Sequence, residues 1–152
     1  MNVINCPAPQ AITLRERLGN VRIIPNIING LPGLVFADFR VVEIGDRFLS
    51  VLVPGGPVEG PQVTRLSFNE PLALIFPVRM IDQFDIIARG IINIQAPPLR
   101  AIADFDGLEV GVIRIGKDFI EVLARPEGFV TSRILFPLNR FTTLTCIDDD
   151  EE

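Results

Sequence analysis

Short runs of alternating or wholly apolar residues fill most of this 152-residue chain. They are rich in Val, Ile and Phe and are separated by Gly, Pro, Asn and Asp, the punctuation expected of an all-β protein. The pattern predicts strands over 21–28, 34–44, 47–53, 63–68 and 72–80. A second series follows over 84–94, 99–105, 108–115, 119–123, 130–136 and 141–147. In the 108–115 run the apolar positions are Leu108, Val110, Val112, Ile113 and Ile115. Their phase slips by one residue, which predicts a β-bulge or a strand buried on both faces. Pro25, Pro77 and Pro137 interrupt otherwise regular runs, with Phe76-Pro77 and Phe136-Pro137 reading as matched positions. Pro cannot donate to a ladder, so edge strands or bends are expected there. Ile44-Gly45-Asp46-Arg47 and Ile115-Gly116-Lys117-Asp118 each put Gly first in a tight reversal, fitting a type II′ hairpin turn or a close relative. The one helix signal is the capping-box pattern Thr13-Leu14-Arg15-Glu16, enough for one or two turns ending near Gly19.

These signals come twice in the same order. Arg22-Ile23-Ile24-Pro25-Asn26-Ile27-Ile28-Asn29 returns with one inserted residue as Asp85-Ile86-Ile87-Ala88-Arg89-Gly90-Ile91-Ile92-Asn93. Ala37-Asp38-Phe39 returns as Ala103-Asp104-Phe105, and Val42-Glu43-Ile44-Gly45-Asp46-Arg47-Phe48 as Ile113-Arg114-Ile115-Gly116-Lys117-Asp118-Phe119. Ordered matches of this kind mark a duplicated supersecondary unit. The expected fold is therefore an all-β, duplicated β-sandwich or barrel with pseudo-twofold symmetry. An extended arm over 1–12 precedes one β repeat over 13–80 and a second over 81–147, both in one compact domain, and 148–152 form an acidic tail. The Gly- and Pro-rich loop 54–61 is longer than its counterpart Arg125-Pro126-Glu127-Gly128. Such an expansion is either a surface insertion or the place where one copy acquires a separate use.

Composition narrows the function classes. No apolar stretch approaches the roughly 18 to 20 residues that a membrane-spanning helix needs, so membrane insertion is not expected. Met1-Asn2-Val3-Ile4-Asn5-Cys6-Pro7 has neither a basic nor an apolar leader region, so no signal peptide is expected and synthesis in the cytoplasm is. The tail holds five of the 19 acidic residues, leaving 14 acids against 14 bases in the body. A neutral body is prone to associate, while the tail opposes clumping and repels nucleic acid. The basic residues are scattered singly, which also argues against a nucleic-acid partner. Thirteen of them are Arg and only Lys117 is Lys. Arg forms planar, bidentate ion pairs suited to contacts, and Lys is the residue that blocks them. A GC-rich or heat-adapted genome explains the same bias equally well.

With no His, no Tyr and Ser only at 50, 67 and 132, nucleophile–imidazole systems and imidazole metal sites are excluded. No catalytic residue, cofactor or metal is expected. The remaining acid/base or hard-cation candidates are Asp82 with Asp85 and Asp104 with Asp106. Asp106-Gly107 reads as a turn, and the match of Asp38 with Asp104 suits a repeated turn or ladder contact. Gly55-Gly56 lacks the Lys and the strand-to-helix setting of a phosphate loop.

Cys6 and Cys146 lie near opposite ends of the chain. They either close nearly the whole chain as one disulfide, link neighbouring subunits, or stay reduced as small apolar fillers. Pro7 and Pro9 keep the Cys6 segment extended. Cys6, Cys146, Pro7 and Pro9 are thus the assembly or disulfide candidates, and Gly45, Asp46, Gly116 and Lys117 the repeated turns.

Val63-Thr64-Arg65-Leu66-Ser67-Phe68 with Pro71-Leu72, and Val130-Thr131-Ser132-Arg133-Ile134-Leu135-Phe136-Pro137-Leu138, follow Gly-turn hairpins in the two halves. In this the chain resembles the β-repeat domains of spore-envelope and spore-appendage structural proteins of Gram-positive bacteria. The resemblance covers about half the chain, and implies a coat or fibre subunit made without a signal peptide and deployed on a spore or particle surface. It further implies assembly through sheet edges and terminal arms, fixed by disulfides. The expectation is a non-enzymatic homo-oligomer or filament whose arm docks on a neighbouring subunit. The alternatives are a β-module holding an apolar small molecule or glycan in a barrel mouth or in the 54–61 loop, and an enzyme using the Asp pairs with a divalent cation.

Overall fold

A computed structural model describes residues 2–29, 39–53, 60–79, 81–95, 105–126 and 130–147. Among these residues twelve strands and one short helix follow in the order β1 (Val3–Ile4), α1 (Leu14–Leu18), β2 (Ile23–Ile24), β3 (Asn26–Asn29), β4 (Phe39–Ile44), β5 (Phe48–Val53), β6 (Gln62–Ser67) and β7 (Leu72–Pro77). They continue with β8 (Ala88–Ile94), β9 (Leu108–Ile115), β10 (Phe119–Ala124), β11 (Ser132–Pro137) and β12 (Thr142–Ile147). The all-β expectation holds, with two sheets in a sandwich-like arrangement. One sheet has the order β1-β12-β8-β9-β10-β11-β7-β3 and the other β2-β4-β5-β6.

The apolar positions fill two cores that share a wall. Leu72 and Leu74 of β7 pack with Leu14, Leu18, Leu49 and Leu66 in one core, while Ala73 and Ile75 turn to the other with Ile92, Val112 and Phe136. Neighbouring strands alternate in the same way. Ile27 and Leu135 join the first core; Ile28 and Ile134 join the second. Because successive strand residues point to opposite faces, β3, β7 and β11 can be apolar on both sides and separate the cores.

The pairing pattern of one half recurs in the other. In the β4–β5 hairpin Val41 faces Val51 and Glu43 faces Ser50, which leaves Val42 as an extra residue. In the β9–β10 hairpin Val112 faces Val122 and Arg114 faces Glu121, which leaves Ile113 extra. Both bulges fall 71 residues apart, where the phase slip over 108–115 predicts one. Backbone bonds repeat as well. Gly45 donates to Phe48 as Gly116 does to Phe119, and Phe68 donates to Arg47 as Leu138 does to Asp118.

Four expectations need correction. Gly45 and Gly116 are not II′ glycines, since only Gly60 and Gly107 have positive φ among the described glycines. What Gly provides at these two turns is room: a Cβ would lie 2.2 Å from the Phe48 ring at Gly45 and 2.1 Å from the Phe119 ring at Gly116. Of the two readings at the prolines, edge strand or bend, the edge holds only at Pro25, a bend between β2 and β3 that each end a sheet, whereas β7 and β11 are interior and Pro77 and Pro137 are their last residues. Phe76-Pro77 and Phe136-Pro137 are not equivalent either, since Pro137 pairs with Phe119 at the position where Ser67 pairs with Phe48. Finally, the 21–28 run is two strands. Pro25 breaks it so that β2 pairs with β4 and β3 with β7, whereas β8 runs unbroken and pairs with both β9 and β12. Ile27 faces Leu74 as Ile92 faces Leu144, so Ile92 corresponds to Ile27 and not to Ile28. Asp38, Asp104, most of the 54–61 loop and the acidic tail lie outside the described residues.

Candidate functional site

Three features of the fold set apart surfaces with more than a packing role: the locked arm, a buried charge cluster beneath it, and an open sheet edge. The arm follows from the extended, proline-bearing sequence at 2–12. β1 lies parallel to β12, with Val3 opposite Leu144 and Ile4 opposite Thr145. The Asn2 side chain donates to the carbonyls of Asn139 and Thr142, and the Leu144 amide donates to the Asn2 carbonyl at 2.7 Å. Cys6 and Cys146 form a disulfide with a Cα–Cα distance of 5.1 Å across 140 residues of sequence. This resolves the cysteine alternatives in favour of chain closure. Residues 2–4 of the arm thus lie on the body of their own chain. The reason is local: Cys146 lies next to the last residue of β12, whose outer edge accepts residues 2–4, and Pro7 and Pro9, both exposed, carry the chain away in extended form.

Beyond the prolines the arm crosses the second hairpin turn. Gln10 donates to the Ile115 carbonyl and the Lys117 amide donates to Ile12, both at 2.8 Å. α1 then begins with the predicted capping box between Thr13 and Glu16. The Leu14 amide, left without a partner inside the helix, donates to Asp118 Oδ1 at 2.7 Å. One residue on, Arg15 reaches Asp46 in the first hairpin turn at 2.8 Å, an exposed contact of little energetic weight. The short helix thus bridges the two repeated turns, in which Gly45, Asp46, Gly116 and Lys117 are predicted.

Beneath α1 lies the one buried carboxylate among the described residues, Glu121, whose side chain is 1% exposed. Oε1 accepts from Arg17 Nε at 2.7 Å and Arg114 Nη1 at 2.9 Å, and Oε2 accepts from Arg17 Nη2 at 3.0 Å and Arg133 Nη1 at 3.3 Å. Burial pushes the Glu121 carboxyl up, but the hydrogen bond from Arg17 and the charges of Arg17, Arg133 and Arg114 outweigh it and hold the group below its ordinary value. The same hydrogen bond raises Arg17, while burial lowers Arg133, whose guanidinium also lies 4.5 Å over the Phe76 ring. The sequence reading overlooks this cluster. Its one visible signal is a Glu inside the apolar run Phe119-Ile120-Glu121-Val122-Leu123.

The open edge is β6. Its inner side pairs with β5 in unbroken register from Phe48↔Ser67 to Val53↔Gln62, and Phe68 donates to Arg47. Alternation along an antiparallel ladder then points the backbone of Gln62, Thr64 and Leu66 toward β5 and that of Val63, Arg65 and Ser67 away. The corresponding strand of the other half, β11, has this same edge filled by β7. Among the described residues β6 has no such neighbour and ends its sheet, while the outer side of β12 carries β1. The Val63 side chain beside this edge is 61% exposed, and Ile23 and Val42 on the same sheet are exposed as well.

Of the predicted Asp pairs, Asp104 lies outside the described residues and the other three carboxylates sit at the surface or in turns. Asp82 accepts from the Arg79 amide and Asp106 from the Ile94 amide at 2.9 Å, while Asp85 is exposed. Gly107 follows Asp106 with φ 79°, so the Asp-Gly pair forms the turn into β9. No group of three metal-ligating side chains occurs among the described residues, and no helix among them is long and apolar enough to cross a membrane. No family model, curated protein or solved structure matches this chain.

Proposed function

We propose that the chain is a non-enzymatic structural subunit that self-associates, building a coat, fibre or other homo-oligomer. The observation that carries this reading is the edge of β6, unpaired among the described residues, where β11, the strand that follows the other bulged hairpin, receives β7 of this same chain. An open row of N–H and C=O groups beside exposed apolar side chains is a template for strand addition. The partner is a second copy, through antiparallel pairing of β6 with β6. A twofold axis at Thr64 sets Thr64 opposite Thr64 and Val63 opposite Arg65, which keeps the two Arg65 charges out of direct opposition. The neutral, Arg-rich body supports the same reading, since it carries no net charge to hold copies apart and Lys, the usual guard of an exposed edge, occurs once.

Light scattering on a sizing column, with electron microscopy of the same fractions, tests the proposal. Val63→Pro removes one outward donor without touching the β5 ladder, and Val63→Lys adds an edge charge. Both variants are expected to shift the protein to monomer while keeping the melting temperature of the parent within a few degrees. A parent that stays monomeric at high concentration, or variants that assemble unchanged, would refute it.

A further inference from the structure

Glu121 has fewer acceptor positions than its arginines have donors. A carboxylate offers about four lone-pair sites and each guanidinium five N–H groups. The contacts from Arg17, Arg114 and Arg133 fill those acceptor sites, and leave Arg17 and Arg114 with most of their donors unused by Glu121. Both arginines, each with a side chain 31% exposed, line an open cavity of about 530 Å³ between the arm and α1. Two amide side chains, Gln10 and Asn20, share the lining, and Ile12 and Val21 give it an apolar wall. Glu16 also borders the cavity, but its Oε1 accepts from Thr13 Oγ1 at 3.0 Å and is held at the helix cap.

We infer that this cavity binds a small organic oxyanion, a carboxylate or phosphate head group on a compact apolar body, through Arg114 and Arg17. Glu121 is not a contact in this site. It is a positioning residue: it holds Arg17 by its Nε–Nη2 edge and Arg114 by Nη1, so that less side-chain order is lost when their remaining N–H groups meet an anion. The amides of Gln10 and Asn20 add uncharged donors, and the apolar wall accommodates the body of the ligand. The volume exceeds what a bare phosphate fills, which is why an organic body is assigned. The site is separate from the β6 edge, and its test does not depend on self-association.

Titration calorimetry of the whole chain at low ionic strength, with succinate and inorganic phosphate as separate probes, reads the site directly. At least one probe should bind saturably with one-to-one stoichiometry and a Kd of about 1 mM or tighter. Saturation by succinate alone assigns a carboxylate head, and saturation by phosphate alone or by both assigns a phosphate-accepting one. Arg114→Gln should weaken binding about tenfold or more, and Arg114→Lys, which keeps the charge without the planar fork, by less. Arg140→Gln, a change at an arginine lying over Phe141 away from the cavity, should leave the affinity as it is. A melting curve on each variant separates lost binding from lost fold. The inference fails if neither probe saturates, or if Arg140→Gln lowers the affinity as much as Arg114→Gln.

Discussion

Replacing Glu121 by Gln keeps the size and shape of the side chain and removes only its charge. In the parent, one carboxylate with 1% exposure answers three guanidiniums through four contacts of 2.7 to 3.3 Å. Gln presents one oxygen and one donor group, so at least one guanidinium then faces a donor. Removing one partner of a fully buried pair costs about 3–5 kcal/mol. The arginines here are 21% to 31% exposed and recover part of their hydration, so the lower end applies, about 3 kcal/mol. For a chain of this size that lowers the melting temperature by about 6–12 °C.

Urea unfolding of both proteins at pH 7 and at acid pH measures the effect and its origin together. The folded carboxyl titrates below its unfolded value, so its contribution is complete above the unfolded value and is lost as pH falls through the folded one. The gap between parent and Glu121→Gln should therefore be widest near neutrality and close in strong acid. A difference under about 1 kcal/mol at pH 7 would refute the view that this ion cluster organises the α1–β10 contact. So would a gap that does not change with pH.

Reducing the Cys6–Cys146 bond, or replacing both residues by Ser, opens a closure spanning 140 residues. The chain-entropy relation assigns this about 5 kcal/mol, and a drop of roughly 10–20 °C in melting temperature is expected by calorimetry. A drop of only a few degrees would show that the bond adds little beyond the β1–β12 contact. Gly116→Ala and Gly45→Ala should differ although the turns correspond. At Gly116 the new Cβ meets the fully buried Phe119 ring and the Ile12 carbonyl, and overpacking of that kind costs about 2–3 kcal/mol. At Gly45 the three nearest atoms all belong to the half-buried Phe48, a side chain not enclosed by the core, and about 1 kcal/mol is expected. Equal losses in chemical denaturation would contradict the role given to the arm over the second turn.

Local chemistry in the sequence was sufficient for the strand content, the phase slip near Ile113 and the capping box of α1. Each of these depends on residues a few positions apart, where side-chain period and turn preference act directly. Tertiary structure decided the rest, because contacts between residues distant in the chain leave no local period. The interior position of β7 and β11, the splitting of the 21–28 run at Pro25, and the fit of Gly116 against Phe119 all follow from what packs alongside. Glu121 shows the difference most clearly. Its place in an apolar strand was visible, but Arg17 lies 104 residues away and reaches it only because the arm folds back. That return is held by the β1–β12 pairing and by the Cys6–Cys146 bond, both between residues about 140 positions apart.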